Sequence, residues 1–311
     1  MKCFDNVEWK KKHGVIPVLS EDKKTITYGL YPQTVVNDAV TIDELNKLTK
    51  VESNGWYLYN EEYYAKLEAK PERNIYKFNN GTTIVKGKIY WFKCEPITWN
   101  VLSNVEGKYF ILSFFILDAH RYDDSSNNYK NSEIRAWLNG DFYNSAFNLG
   151  NEYIQTTIVD NSTYTVPRYS DKFVCDNTND KVFLPSYKDY ENKSYGFISH
   201  ESRQCKTTDY ARANGARYVY NLSYLNNGFY WTRSPRSCLN TTRFVYGVLI
   251  GQDYGDRELL ICVNSGYVWY VDSCGRLDSC IDSDLYKYYG NDVSDTFYGV
   301  RPCLYLDLDI A

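Results

Sequence analysis

β-Branched and aromatic residues fall in short runs bounded by Gly, Pro and Asn, the pattern of a strand-rich chain. A strand is expected over 25–32, ended by Pro32. Two more, over 89–92 and 97–102, flank Glu95-Pro96, and a turn at Glu106-Gly107 leads into 109–113. Helical signals are fewer. Thr41 with Glu44 reads as a capping box opening a short helix through Leu45 and Leu48. Ser132 caps a helix with Ile134, Trp137 and Leu138 on one face, and Asn139-Gly140 is expected to stop it. A second helix is expected over 141–147, and Thr207-Thr208-Asp209 opens a third that ends near Asn214-Gly215. Asn54-Gly55 and Asn79-Asn80-Gly81 mark turns. With no repeat of 20 to 50 residues, the order of elements predicts an α+β protein, and the polar stretches over 118–230 read as surface or functional loops.

The last third organises the chain. Trp231-Thr232-Arg233-Ser234-Pro235 and Gly299-Val300-Arg301-Pro302 bracket a segment rich in Tyr, Ser, Asp, Asn, Cys and Gly, with strand-like runs over 243–250, 258–263 and 267–271. Trp231, Arg233, Pro235, Arg301 and Pro302 are expected to be scaffold. A planar five-donor guanidinium beside a Pro-bearing turn can satisfy several loop carbonyls.

Composition changes the picture in two ways. Aromatic residues make up 17% of the chain, with 32 Tyr. Tyr serves strand faces in a core, and it also gives wide amphipathic contact area to recognition surfaces in the company of Ser, Gly and Asn. The net charge of −4 lacks the basic excess of an electrostatic nucleic-acid binder, so no nucleic-acid partner is expected. The nine cysteines are odd in number and contain no C-x-x-C, which leaves reduced thiols as the expectation. The first residues lack the apolar run of a signal peptide, and no segment is long enough to enter a membrane. Synthesis in the cytoplasm is expected, with a final place in the cytoplasm, at the cell surface by a non-classical route, or on a phage particle.

The runs at 95–102, 132–139, 179–184, 231–235 and 299–302, with the lead-in 28–33, resemble an uncharacterised bacterial domain family. That family is similar in outline to C-type lectin-fold proteins. These include formylglycine-generating-enzyme-like domains and the variable proteins of diversity-generating retroelements. The resemblance implies a lead-in over 1–88 and a C-type lectin-like domain over 89–311 with long inserted loops and a C-terminal ligand-binding face. It also implies that this face is diversified. Adenine-directed mutagenesis of Asn codons does not readily yield Lys, Glu, Gln, Met or Trp. Every residue over 236–251 obeys that restriction, and over 259–286 only Trp269 breaks it. On this reading the ligand-binding residues are Ser237, Cys238, Leu239, Asn240, Thr242, Tyr246, Tyr267, Trp269, Tyr270, Asp272, Ser273, Cys274 and Arg276. The expected ligand is a protein.

Chemistry has weaker signals. Asp176-Asn177-Thr178-Asn179-Asp180 alternates oxygen side chains as a calcium loop would. Lys181 replaces the turn Gly and Tyr187 the terminal Glu of an EF-hand, so neither metal nor cofactor is expected. Asp118-Ala119-His120 beside a Ser-rich loop suggests a triad only on paper, because triads are defined by geometry. No catalytic residue is assigned. The alternatives are a formylglycine-generating-like enzyme using Cys274 and Cys280, or a carbohydrate-binding module.

Overall fold

Chain order runs helix α1 (Val7–Lys12), strands β1 (Val18–Leu19) and β2 (Thr25–Val35), helix α2 (Ala39–Asn46), hairpin β3 (Tyr57–Tyr59) and β4 (Glu62–Glu68), then β5 (Ile89–Val105) and β6 (Lys108–Ser113). The computed structural model describes residues 6–220, 225–236, 238–239, 261–262, 268–274, 276–278 and 293–309. Asp38, not Thr41, caps α2: its carboxylate accepts from the Thr41 backbone N–H and hydroxyl, which displaces the expected capping box by three residues. Pro32 does not end β2, because a shift in pairing register between Pro32 and Thr34 absorbs it. Pro96 likewise lies inside one 17-residue strand instead of separating two. The Gln33 amide donates to the carbonyls of Glu95 and Pro96, at 3.0 and 3.2 Å, so the irregular backbone there stays satisfied. Glu106 and Gly107 both take positive φ, giving the tight hairpin expected between β5 and β6.

β7 (Asp118–Ala119) is followed by α3 (Glu133–Trp137), capped by Ser132. Asn139-Gly140 does not stop the helical path, which widens into a π turn over Leu138–Phe142 and continues as α4 (Tyr143–Ala146). The Asn139 side chain explains this. It donates to the carbonyls of Arg135 and Val182 and accepts from the backbone N–H of Lys181 and Val182, so it bridges the widened turn to a remote segment. Then come β8 (Ile154–Gln155), β9 (Thr157–Val159), β10 (Thr178–Asp180), α5 (Tyr187–Glu191) and α6 (Asp209–Ala213), the last capped by Thr208 as expected. β11 (Tyr230–Pro235), β12 (Cys238–Leu239), β13 (Ile261–Cys262), β14 (Val268–Val271), β15 (Leu277–Asp278), β16 (Gly299–Val300) and β17 (Cys303–Asp307) complete the described elements.

These elements make an α+β protein. One sheet runs β1-β2-β5-β6-β17-β8, with the β3–β4 hairpin on β5, and a second runs β15-β14-β11-β16-β7. Because β2 pairs with β5 along most of its length, strand pairing crosses the boundary expected at residue 88. The chain passes between the sheets at Arg301-Pro302, so β16 and β17 tie the second sheet to the first. Gly299 has to be glycine: a Cβ there would lie 2.3 Å from Ile116 Cγ2 and 3.0 Å from the Phe229 carbonyl oxygen.

The larger of two buried clusters among the described residues contains residues of both sheets, among them Trp99, Trp231, Tyr28, Tyr122 and Tyr230. Much of the Tyr excess is thereby explained as structure. Buried Tyr hydroxyls reach remote carbonyls, Tyr28 to Gly150, Tyr122 to Arg233 and Tyr230 to Arg203, so each ring fills the core while its polar end cross-links distant segments. Among the described residues no helix is long and apolar enough to cross a membrane.

Candidate functional site

Both bracket arginines are buried, and each divides its donors between backbone carbonyls and one side chain. Arg233 on β11 donates from Nη1 to the Leu184 carbonyl and to Asp189 Oδ2, both at 2.9 Å, and from Nη2 to the Asp160 carbonyl at 3.0 Å. Burial works most strongly against its charge, but the Asp189 carboxylate, the largest of several opposing contributions, helps hold the guanidinium above its ordinary pKa. Asp189 is itself set by a capping box. Its Oδ2 accepts from the Ser186 backbone N–H and hydroxyl, while Ser186 caps α5. Arg301 donates from Nε to the Ser113 carbonyl and from Nη1 to the Tyr230 hydroxyl, both at 3.0 Å. Burial pushes the Tyr230 phenol up to about 12. Pro235 and Pro302 are buried, and Trp231 donates its indole N–H to the His120 carbonyl. All five bracket residues therefore sit inside the frame, joining β11, α5 and the end of β6.

Beside Arg233 lies an open pocket of about 320 Å³. Phe110, Phe183 and Tyr305 form its floor as a set of near-parallel rings, Phe110 and Tyr305 with centroids 4.7 Å apart. Its walls come from the β9 strand with the loop to Thr165, and from α5. Its charged groups are Asp160, Lys188, Asp189 and Arg233. None of these wall residues was singled out in the sequence; the Ser186-x-x-Asp189 spacing could have marked the start of α5, but the rest lie in polar loops that periodicity cannot place.

The expected ligand-binding residues divide three ways. Ser237, Asn240, Thr242, Tyr246 and Tyr267 lie outside the described residues. Cys238 and Leu239 form β12, which pairs with β13. Of the remainder, Tyr270, Asp272 and Ser273 are buried, which removes them from the accessible face on which they were expected. β14 is paired on both sides, with β11 and β15, and its Val268, Tyr270 and Val271 side chains enter the core. Asp272 serves a turn, accepting from the backbone N–H of Cys274 and Arg276 and pairing with the Arg276 side chain at 2.8 Å. Trp269 and Cys274 are half-buried and Arg276 is exposed. The Trp269 indole N–H reaches Ser170 Oγ, its ring meets Tyr187 edge-on, and the Arg236 guanidinium lies over it at 5.2 Å.

The possible chemistry separates in space. Asp118 accepts from Tyr31 and Asn214 instead of orienting His120, whose Nδ1 is bonded to the Arg121 carbonyl. In the calcium-like loop Asp176 pairs with Lys130 at 2.9 Å and Asp180 with Arg135 at 2.7 Å, so the two carboxylates diverge onto separate cations. Among the described residues no group of three or more His, Cys, Asp and Glu side chains could hold a metal ion. Burial raises the thiol pKa of Cys94, Cys205 and Cys303, which keeps them protonated.

The model of one family, described as Domain of unknown function (DUF6273), matches residues 106–308. No curated protein and no solved structure matches the chain.

Proposed function

We propose that this chain, which belongs to the DUF6273 family with both bracket arginines inside the matched segment, is a non-catalytic recognition protein with a C-type lectin-like architecture. Its ligand-binding face lies between the brackets, with side chains diversified as in the variable proteins of diversity-generating retroelements, and its ligand is a protein. The observation that carries this reading is the anchoring of Arg233 and Arg301. Their donors go to carbonyls at Asp160, Leu184 and Ser113, all outside the bracketed segment, so these two anchors do not depend on the side chains between the brackets. Half-buried Trp269, stacked under Arg236, is the kind of aromatic anchor such a face uses.

The test is a variant in which Ser237, Asn240, Thr242, Tyr246 and Tyr267 are all replaced by Ala. Displayed residues each contribute within about 0.5 kcal/mol, so the variant loses at most about 2.5 kcal/mol of unfolding free energy while its ligand selection changes. A loss of twice that size would place the five side chains in the core and end the proposal. At the level of the gene, a template copy of the C-terminal coding segment, differing only at adenines and lying beside a reverse-transcriptase gene, is expected.

A further inference from the structure

The pocket beside Arg233 includes no residue between the brackets, and its occupant is set by what its side chains leave unused. Four aromatic rings line it: Phe110, Phe183 and Tyr305 in the floor, and Tyr164 on the rim, where it is 85% exposed. Ile158 on the same rim is 71% exposed. Most of the charge is spent. Arg233 pairs with Asp189 at 2.9 Å, and Lys188 pairs with Glu191 at 2.6 Å. Asp160 is exposed, its Oδ1 accepts the Ser162 backbone N–H, and no cation pairs with it among the described residues. Three carboxylates, Asp160, Asp189 and Glu191, thus stand against two cations, and one negative charge is left on the aromatic site. The neutral polar groups are engaged. The Ser186 hydroxyl donates to Asp189, the Thr165 hydroxyl donates to the Ser162 carbonyl, and Asn192 Oδ1 accepts from the Ser194 N–H and hydroxyl.

From this combination we propose that the pocket binds a small methylated ammonium compound. A cation is attracted both by aromatic rings and by a carboxylate that has no cation of its own. A primary ammonium carries three N–H donors that must exchange water for other acceptors, and the neutral acceptors here are already taken. A trimethylammonium group has no N–H to satisfy, and its methyl groups pack against Ile158 and the rings as an apolar surface does. An anion would meet Asp160, and an uncharged molecule of the same shape would gain the rings without the carboxylate. The volume of about 320 Å³ is near the small end of ligand pockets, roughly 300 to 1,000 Å³, which suits one such head group on a short tail.

Saturation-transfer NMR titrations of the full chain compare molecules of one shape: choline, uncharged 3,3-dimethyl-1-butanol and the anion 3,3-dimethylbutanoate. Choline should bind about fivefold more tightly than the alcohol, the factor an opposite charge about 4 Å away supplies in water, and the anion should bind most weakly. Ethanolamine, with a primary ammonium in place of the methylated one, should bind more weakly than choline. Asp160→Asn should cost choline about fivefold and leave the alcohol unaffected. Tyr164→Ala should cost choline about twofold to fivefold. Both side chains are exposed, so neither variant should move the unfolding midpoint, and a loss of binding is not a loss of fold. The five-site alanine variant of the bracketed face should bind choline as the parent does, so failure here and failure of the recognition reading are told apart. Silence from choline, equal binding of the alcohol, tighter binding of ethanolamine, undiminished choline binding in either single variant, or its loss in the five-site variant would each overturn the assignment.

Discussion

Replacing Arg233 by Met asks whether this arginine is frame or ligand contact. The substitution keeps an unbranched apolar stem and removes three hydrogen bonds, to Asp189, Leu184 and Asp160. Breaking a buried ion pair by removing one partner costs about 3–5 kcal/mol. Asp189 keeps both bonds from Ser186 and its side chain is 21% exposed, so the lower end, about 3 kcal/mol, applies. The buried Leu184 carbonyl loses its donor, adding about 1 kcal/mol or more, whereas Asp160 is exposed and its carbonyl can turn to water. The sum, about 4 kcal/mol, is a large share of the roughly 5–15 kcal/mol that holds a typical domain together. Urea denaturation followed by Trp fluorescence, with an unchanged m-value, measures it. Arg233→Lys should recover little, because one ammonium cannot reach three acceptors spread across a planar fork. In a double-mutant cycle with Asp189→Asn, the coupling should be about 1.5–3 kcal/mol. A loss below about 1 kcal/mol, or a coupling near zero, would show that Arg233 does not hold the frame, and the recognition reading would lose its support.

Two other perturbations are decisive elsewhere in the fold. Burial holds the Asp118 carboxyl above its ordinary pKa despite hydrogen bonds from Tyr31, Asn214 and the Ala119 N–H. The folded state therefore binds this proton more tightly than the unfolded chain, so Asp118 costs stability as pH rises from about 4 through its raised value. Relative to Asp118→Asn, the parent should lose unfolding free energy over that window; a gain would reverse the burial argument. Gly299→Ala should cost about 1–3 kcal/mol by thermal unfolding, because the new methyl overlaps Ile116. A change within about 0.5 kcal/mol would mean that β16 moves aside freely.

Signals acting within about four residues were legible in the sequence: the Ser132 and Thr208 caps and the hairpin turn at Glu106-Gly107. A cap or a turn carries its own hydrogen-bond partner along the chain, so its residues are enough to predict it. The expectation failed wherever the partner is remote. Pro32 and Pro96 remain inside strands through a register shift and the Gln33 amide, and Asn139 carries a helix past a glycine by bonding to Val182. Burial had the same limit. Tyr270 was expected on an accessible face, but Phe229 and Tyr298 pack against its ring and bury it. The pocket walls lie in loops without periodicity and meet Phe110 and Tyr305 only in space. The sequence by itself determined the α+β class and the bracket motifs. Only the tertiary structure decided which side chains remain accessible, because solvent exposure depends on what remote segments pack against each surface.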